Sequence, residues 1–201
     1  MATARDQRVE DAFAAVPREW FLPPDARASA HLDRPLRLSH GQTNSQPTTV
    51  RAMLELLAVA PGQRVLDVGA GSGWTTGLLA HLVGEGGEVW GVERIPELRE
   101  GASAAVERWP WAQVRLAREG ELGLPELAPF DRILVSAEAR ELPAALVDQL
   151  APGGIMVIPV GGEMLRVVRG AVGEDEREDG REPAPEVTRH GWYNFVPLIT
   201  D

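Results

Sequence analysis

Apolar residues recur along this chain in two periods. Over residues 6–15, Val9, Ala12, Phe13 and Ala14 follow helical spacing, and Pro17 stops that segment. Over residues 48–59, Val50, Met53, Leu54 and Leu57 share one helical face, and Pro61-Gly62 ends it. The rhythm then changes to short apolar runs that alternate with helical stretches. RVLDVG (64–69), EVWGVE (88–93), QVRLA (113–117), DRILVS (131–136) and GIMVIPV (154–160) read as strands. Trp74 to Val83, Pro96 to Arg108 and Glu141 to Leu150 read as the intervening helices. A further strand is predicted over 165–172, and a last one in the tail GWYNFVPLI. Strand and helix alternating in this way predict a parallel, doubly wound α/β sheet of the Rossmann-like kind.

Two stretches lack a sustained period. Residues 17–47 are rich in Pro, Arg, Asp and Ser, and a long irregular segment before a regular domain is often functional rather than connective. Residues 173–186 form an acidic, proline-containing loop. The expected organisation is a single domain, with residues 1–60 as a helical and covering extension and residues 61–201 as the core.

Composition narrows the class. The chain has 201 residues, 44% of them apolar and 25% charged, which suits one soluble globular domain. Thirty acidic against 20 basic residues leave a net charge of −10, which repels phosphate backbones, so no nucleic-acid partner is expected. The absence of cysteine excludes disulfides, thiolate metal sites and a cysteine nucleophile. MATARDQRVEDAF mixes charges and holds no apolar run of signal-peptide length. No stretch approaches the ~20 apolar residues that a membrane helix needs. These features predict a cytoplasmic protein with no membrane attachment; a monomer is expected, although no sequence feature sets the oligomeric state. His31, His40 and His81 offer no pair at metal-ligand spacing with a third ligand, so no metal is expected. Trp109 and Trp111, either side of Pro110, are expected to be partly buried at the sheet edge.

The segment with the most chemistry is VLDVGAGSG (65–73), a strand pattern that runs into a glycine-rich turn and a helix. Gly69, Gly71 and Gly73 have no Cβ, so a ligand can approach the backbone beyond the strand's carboxyl end. A dinucleotide turn reads G-x-G-x-x-G; here the third glycine comes one residue early and Trp74 takes the dinucleotide position. Asp67 adds a carboxylate, which suits an aminoacyl or sulfonium cation better than a pyrophosphate. Glu93, at the end of the next strand, can accept both hydroxyls of a ribose. The pair indicates a nucleoside ligand and does not by itself separate S-adenosyl-L-methionine from NAD.

With VER (92–94) after it, VLDVGAGSGW resembles the first motif and acidic successor of class I S-adenosylmethionine-dependent methyltransferases. VPREWFLP (16–23), LSHGQTNSQPTTV (38–50), GLPELAPFDRILVSAEARELP (123–143) with GGIMVIPVGG (153–162), and NFVPL (194–198) resemble the protein-L-isoaspartate O-methyltransferase family more specifically. The likeness runs over roughly residues 11 to 198, in the family's order. It implies a seven-stranded methyltransferase sheet over 61–201 and a substrate-covering segment over 1–60. It also implies S-adenosyl-L-methionine as cofactor and S-adenosyl-L-homocysteine as product. The implied substrate is an isoaspartyl residue of a damaged protein or peptide, whose methyl ester cyclises to a succinimide that partly hydrolyses back to aspartate. By the same resemblance Ser45 stands at the active-site serine, with Thr43, Asn44 and Gln46 beside it. Asp67, Gly69, Gly71, Ser72 and Gly73 line the cofactor, Glu93 holds the ribose with Arg94 also at the cofactor, and Glu119 and Gly120 match the acidic turn that contacts adenine. The chain departs from the family pattern at Asn44, usually apolar there, and at Arg118 before the adenine turn.

The implied reaction fits the residue inventory. A carboxylate is already ionised at neutral pH, so no general base is required. The protein must place the acceptor in line and exclude water. Ser45 suits an orienting role. Read alone, it also suits a helix N-cap before TTVRAML. Arg18, Arg34 and Arg37 sit near the expected substrate mouth, to attract an acidic peptide or to form surface ion pairs. Three readings remain at this point: isoaspartyl repair, methylation of another carboxylate, and a non-catalytic cofactor-binding module.

Overall fold

The computed structural model describes residues 4–170 and 184–199. Helix α1 (Ala4–Ala15) opens the chain. Short 3-10 turns and a two-stranded antiparallel ribbon follow, β1 (Leu36–Arg37) with β2 (Thr43–Asn44). Next come α2 (Pro47–Leu57), β3 (Arg64–Val68), α3 (Trp74–Val83), β4 (Glu88–Glu93), α4 (Pro96–Val106) and β5 (Ala112–Leu116). The second half holds β6 (Phe130–Val135), α5 (Ala144–Val147), β7 (Leu150–Val160), β8 (Glu163–Val168) and β9 (Glu186–Trp192). The main sheet has seven strands in the order β5-β4-β3-β6-β7-β8-β9. Strands β3 to β7 run parallel, and β8 and β9 close the far edge antiparallel.

The period of two along each strand divides the core between the two faces. Val65, Leu134, Ile155 and Val157 face the layer built by α1 to α4. Leu66, Ile133, Val135, Met156 and Ile158 face the opposite layer, which contains Leu124 and Leu146. Both faces are covered, which is why these strands read as near-continuous apolar runs. Trp74 sits where the N-terminal segment meets the sheet. It is buried, its indole N–H donates to the Val16 carbonyl at 3.2 Å, and the Phe13 ring stands edge-on at 5.5 Å. Trp109 is buried and Trp111 partly so.

Two predicted elements differ. The helix expected over Glu141 to Leu150 is only the four residues Ala144–Val147. Pro143 disfavours a helical Leu142 before it, and Gln149 turns inward after it. That buried amide donates to the carbonyls of Leu122 and Ala145 and accepts from the Leu124 N–H, so β7 begins at Leu150. The last strand lies earlier than the tail, at Glu186–Trp192. Residues 193–199 make only an isolated bridge, Pro197 to Glu138, because proline has no N–H to continue a ladder. The predicted strand over 165–172 is Glu163–Val168, and its residues 171–172 lie outside the described residues, as does most of the acidic loop over 173–186. Among the described residues no helix is long and apolar enough to cross a membrane.

Candidate active site

Strand order sets the location. The chain moves outward from β3 to β4 and β5, then returns to place β6 on the other side of β3. Strands diverge at that reversal, and open α/β sheets carry ligands beyond their carboxyl ends there. A cavity of about 270 Å³ opens at this point. Its walls come from the ends of β3 (Val68), β4 (Val92, Glu93) and the segments after β5 (Ala117) and β6 (Ser136).

The glycine turn forms one rim. Gly71 has φ +56°, and a Cβ there would meet nothing nearer than Leu38 at 3.9 Å, so its open side belongs to the cavity. Gly73 serves another purpose: at φ +86°, its missing Cβ would lie 3.2 Å from the Ala102 backbone and side chain, so it lets α3 pack on α4.

Glu93 is nearly buried and immobilised. One carboxylate oxygen accepts the Gly71 N–H at 2.8 Å and the other the Ile95 N–H at 2.9 Å. Each oxygen keeps a further lone pair. The result is a fixed pair of acceptors at the cavity wall, suited to vicinal hydroxyls. Across the cavity lie Arg118, Glu119, Gly120, Glu121 and Leu122. Arg118 is ion-paired with Glu121 at 3.1 Å and Glu126 at 3.4 Å. Three carboxylates (Glu93, Glu119, Glu121) face two guanidiniums (Arg94, Arg118) in this lining, an excess that favours a cationic ligand.

The N-terminal ribbon supplies the opposite wall. Gln42 and Thr43 line the cavity itself. Asn44 and Ser45 line an adjoining hollow of about 30 Å³ that shares Thr43, Gly69, Gly71 and Ser136 with it. Ser72 lines the hollow as well. Ser45 is not a helix cap: Gln46 holds the N-cap position of α2, and the Asp33 carboxylate reaches in from the loop instead. Asp33 accepts the Thr48 N–H at 2.9 Å, the Thr48 hydroxyl at 2.7 Å and the Gln46 side chain at 3.1 Å. Those bonds, the backbone one first, hold its carboxyl below the ordinary carboxylate range.

The predicted site residues therefore divide. Thr43, Gly69, Gly71, Glu93, Arg94, Glu119 and Gly120 line the main cavity; Asn44, Ser45 and Ser72 line the hollow beside it. Gln46, Asp67 and Gly73 line neither. Gln46 is turned away to Asp33, and Gly73 is a packing glycine. Asp67 lies fully buried on the α3 face of the sheet, where one oxygen accepts the hydroxyls of Thr75 at 2.8 Å and Thr76 at 2.7 Å. Its other oxygen has no partner among the described residues. Burial pushes its pKa up to about 6 against those two hydrogen bonds, and nearby Glu93 adds to the rise.

Arg18 also differs from expectation. It is a buried scaffold rather than a surface cation at the mouth. Its guanidinium donates to the side-chain oxygen of Asn44 and to the carbonyls of Ala30, Leu32, Arg34, Asn44 and Ser45. Desolvation lowers its pKa to about 10, so it stays charged at neutral pH. Sequence reading also missed Gln42, Ser136 and the tail residues Val196, Pro197, Leu198 and Ile199, all of which line the cavity. The tail is held by the Glu138 N–H donating to the Val196 carbonyl at 2.8 Å and the Leu198 N–H to the Glu138 carbonyl at 2.7 Å. Its only signal in sequence was NFVPL, which carries no period.

Comparison with known proteins identifies the family. The profile of the protein-L-isoaspartate(D-aspartate) O-methyltransferase family matches residues 2–198. The chain belongs to that family. A protein-L-isoaspartate O-methyltransferase of Aeropyrum pernix is 51% identical over 96% of this chain and 73% of its own length. One of Anaeromyxobacter dehalogenans is 52% identical over 87% of this chain and 86% of its own. A Plasmodium falciparum crystal structure, described as a family member in complex with S-adenosyl-L-homocysteine, superposes with a TM-score of 0.78 at 25% identity, covering 96% of this chain and 91% of that one. The fold is thus that of the family's methyltransferases.

Proposed function

We propose that this chain transfers a methyl group from S-adenosyl-L-methionine to the free carboxylate of L-isoaspartyl residues in proteins or peptides. The observation that carries the reading is a juxtaposition: the hydroxyl-bearing Thr43–Ser45 stretch shares its wall with a cavity whose fixed acceptor is Glu93. The lining fits the cofactor. Glu93 presents two oriented oxygens to a ribose, the slot between Val92, Ala117 and Leu122 is apolar enough for a base, and the acidic excess suits a cation. When bound, S-adenosyl-L-methionine supplies a methyl group on a sulfonium sulfur.

The chain's own part is placement. The acceptor carboxylate is ionised at neutral pH and its oxygen lone pair is the nucleophile, so the protein has no proton to remove. The residues lining cavity and hollow include no imidazole and no amine, consistent with a site that orients rather than abstracts. Ser45 and Thr43 would donate hydrogen bonds to the acceptor oxygen that does not react and leave the other free to take the methyl group. Gln42 and the tail residues 196–199 wall off water, whose removal strengthens the attraction between the reacting charges.

The test is incubation with labelled S-adenosyl-L-methionine and an isoaspartyl peptide beside its normal aspartyl twin. Base-labile label on the isoaspartyl peptide alone is the expected outcome. Equal label on both peptides, or label on neither despite cofactor binding, overturns the substrate assignment.

A further inference from the structure

The 18–45 segment has almost no regular structure, yet it must hold Ser45 against the glycine turn. One side chain organises it. Arg18 sits in a 3-10 turn at the segment's start and is buried, with no carboxylate bonded to it among the described residues. Its five N–H groups are spent on acceptors from residues 30–45 of the segment: Leu32 at 3.0 Å, Arg34 at 2.9 Å, Asn44 at 3.0 Å and Ser45 at 2.7 Å through their carbonyls, Ala30 at 3.5 Å, and the Asn44 side-chain oxygen at 2.6 Å. The Trp74 ring lies 5.3 Å from the guanidinium carbon, so the cation also rests on the first turn of α3. Asn44, held by Arg18, donates its amide N–H to the Ser72 hydroxyl at 3.0 Å. A continuous path thus runs from Arg18 through Asn44 to the glycine turn, with Ser45 one residue further on.

We propose that Arg18, acting with Asn44, is the positioning residue of the acceptor site: it clamps the Asn44–Ser45 backbone to the glycine turn and thereby fixes the Ser45 hydroxyl relative to the methyl donor. The inference rests on the methyltransferase reading above. Arg18 touches neither the main cavity nor the hollow, so it acts through Ser45 and not on the ligand. Asn44 does two jobs at once, with its oxygen toward Arg18 and its nitrogen toward Ser72, which an apolar residue cannot do.

Arg18→Lys is the informative variant. It keeps the charge and the stem, and replaces a planar five-donor fork with three donors on one nitrogen, too few and too close together for these acceptors. A loose acceptor misplaced by about 1 Å costs up to roughly a hundredfold in rate. Arg18→Lys is expected to lower kcat on the isoaspartyl peptide by roughly ten- to a hundredfold while the S-adenosyl-L-methionine Kd moves less than about threefold. In the Ser45→Ala background the same change is expected to cost less than about threefold, since the hydroxyl it positions is gone. Amide hydrogen exchange reads the clamp without activity: residues 30–46 are expected to exchange at least about tenfold faster, with β3, α3 and β4 unchanged.

A full, additive loss in the Ser45→Ala background overturns the positioning role. Unaltered exchange over 30–46, or equal acceleration throughout the core, overturns the clamp. Should the wild-type protein transfer no methyl group, the functional reading fails on that result alone, and the exchange comparison still decides whether Arg18 holds the loop.

Discussion

Ser45 lines a hollow whose lining contains no imidazole and no carboxylate, so nothing there activates its hydroxyl as a nucleophile. It can only donate or accept a hydrogen bond. Ser45→Ala is therefore expected to lower kcat by roughly ten- to a hundredfold and leave the cofactor Kd within about threefold, read by steady-state kinetics beside calorimetry. An equal or larger loss of binding contradicts the orienting role. Asp67 yields a prediction of another kind. Its buried carboxyl titrates near 6 in the fold against 3.8 ordinarily, so the folded state holds the proton more tightly than the unfolded chain. The contribution of this group to stability is fully present below pH ~4 and is lost as pH rises through about 6. The full difference amounts to about 3 kcal/mol. Asp67→Asn cannot titrate, so its stability relative to wild type is expected to shift in the variant's favour by up to that amount between pH 4 and pH 7. Denaturant unfolding at the two pH values measures it, and a difference independent of pH refutes the assignment.

At the scale of elements, the glycine turn separates packing from binding. Adding a Cβ at Gly73 forces a left-handed residue against the Ala102 backbone, whereas at Gly71 the space is open. Gly73→Ala is expected to destabilise by about 2–4 kcal/mol through displacement of α3 from α4. Gly71→Ala is expected to cost only about 1–2 kcal/mol in stability and to weaken cofactor binding instead, because its new methyl projects where the ligand approaches. Unfolding curves and calorimetry on the two variants separate the effects. The same contrast explains what sequence could reveal. VLDVGAGSG announced strand, turn and helix because each residue's local role shows in its type. Leu66 and Ile133 were legible as core, because a two-faced buried strand has a continuous apolar run. The Arg18 clamp is not legible, since its partners lie up to 27 positions away and all but the Asn44 side-chain oxygen are backbone carbonyls, which every residue has. Asp67 and Gly73 belong to the turn by type and spacing yet line neither cavity nor hollow, because composition does not say which face of a strand or helix a side chain takes. Helix α5 shrank for a related reason: Gln149 looks helical locally, and its long-range bonds to Leu122 and Leu124 decide otherwise.

For the molecule as a whole, the cavity exists because the sheet reverses direction, but reversal alone leaves it open. Closure comes from two segments that lie outside the main sheet. The N-terminal ribbon brings Gln42 and Thr43 to one side, and the C-terminal tail brings Val196 to Ile199 to another. The tail contributes nothing to the ladder of the sheet: β9 ends at Trp192, and two backbone hydrogen bonds to Glu138 hold residues 196–198 in place. Tyr193 and Phe195, by contrast, pack on the core. A chain ending at residue 195 keeps those two rings and every main-sheet strand while losing one wall of the cavity. Its unfolding free energy is expected to fall by only about 1–2 kcal/mol, the worth of two hydrogen bonds and a few half-exposed side chains. Its affinity for S-adenosyl-L-methionine is expected to fall at least about tenfold, since apolar cover is removed from a ligand that binding must desolvate. Ligand-induced stabilisation follows RT ln(1 + [L]/Kd), so at a concentration that stabilises the full chain by about 2.7 kcal/mol the shortened one should gain about 1.4 kcal/mol or less. Thermal unfolding with and without the cofactor measures both quantities in one experiment. Undiminished stabilisation of the shortened chain would mean that the ribbon and the glycine turn enclose the ligand without the tail.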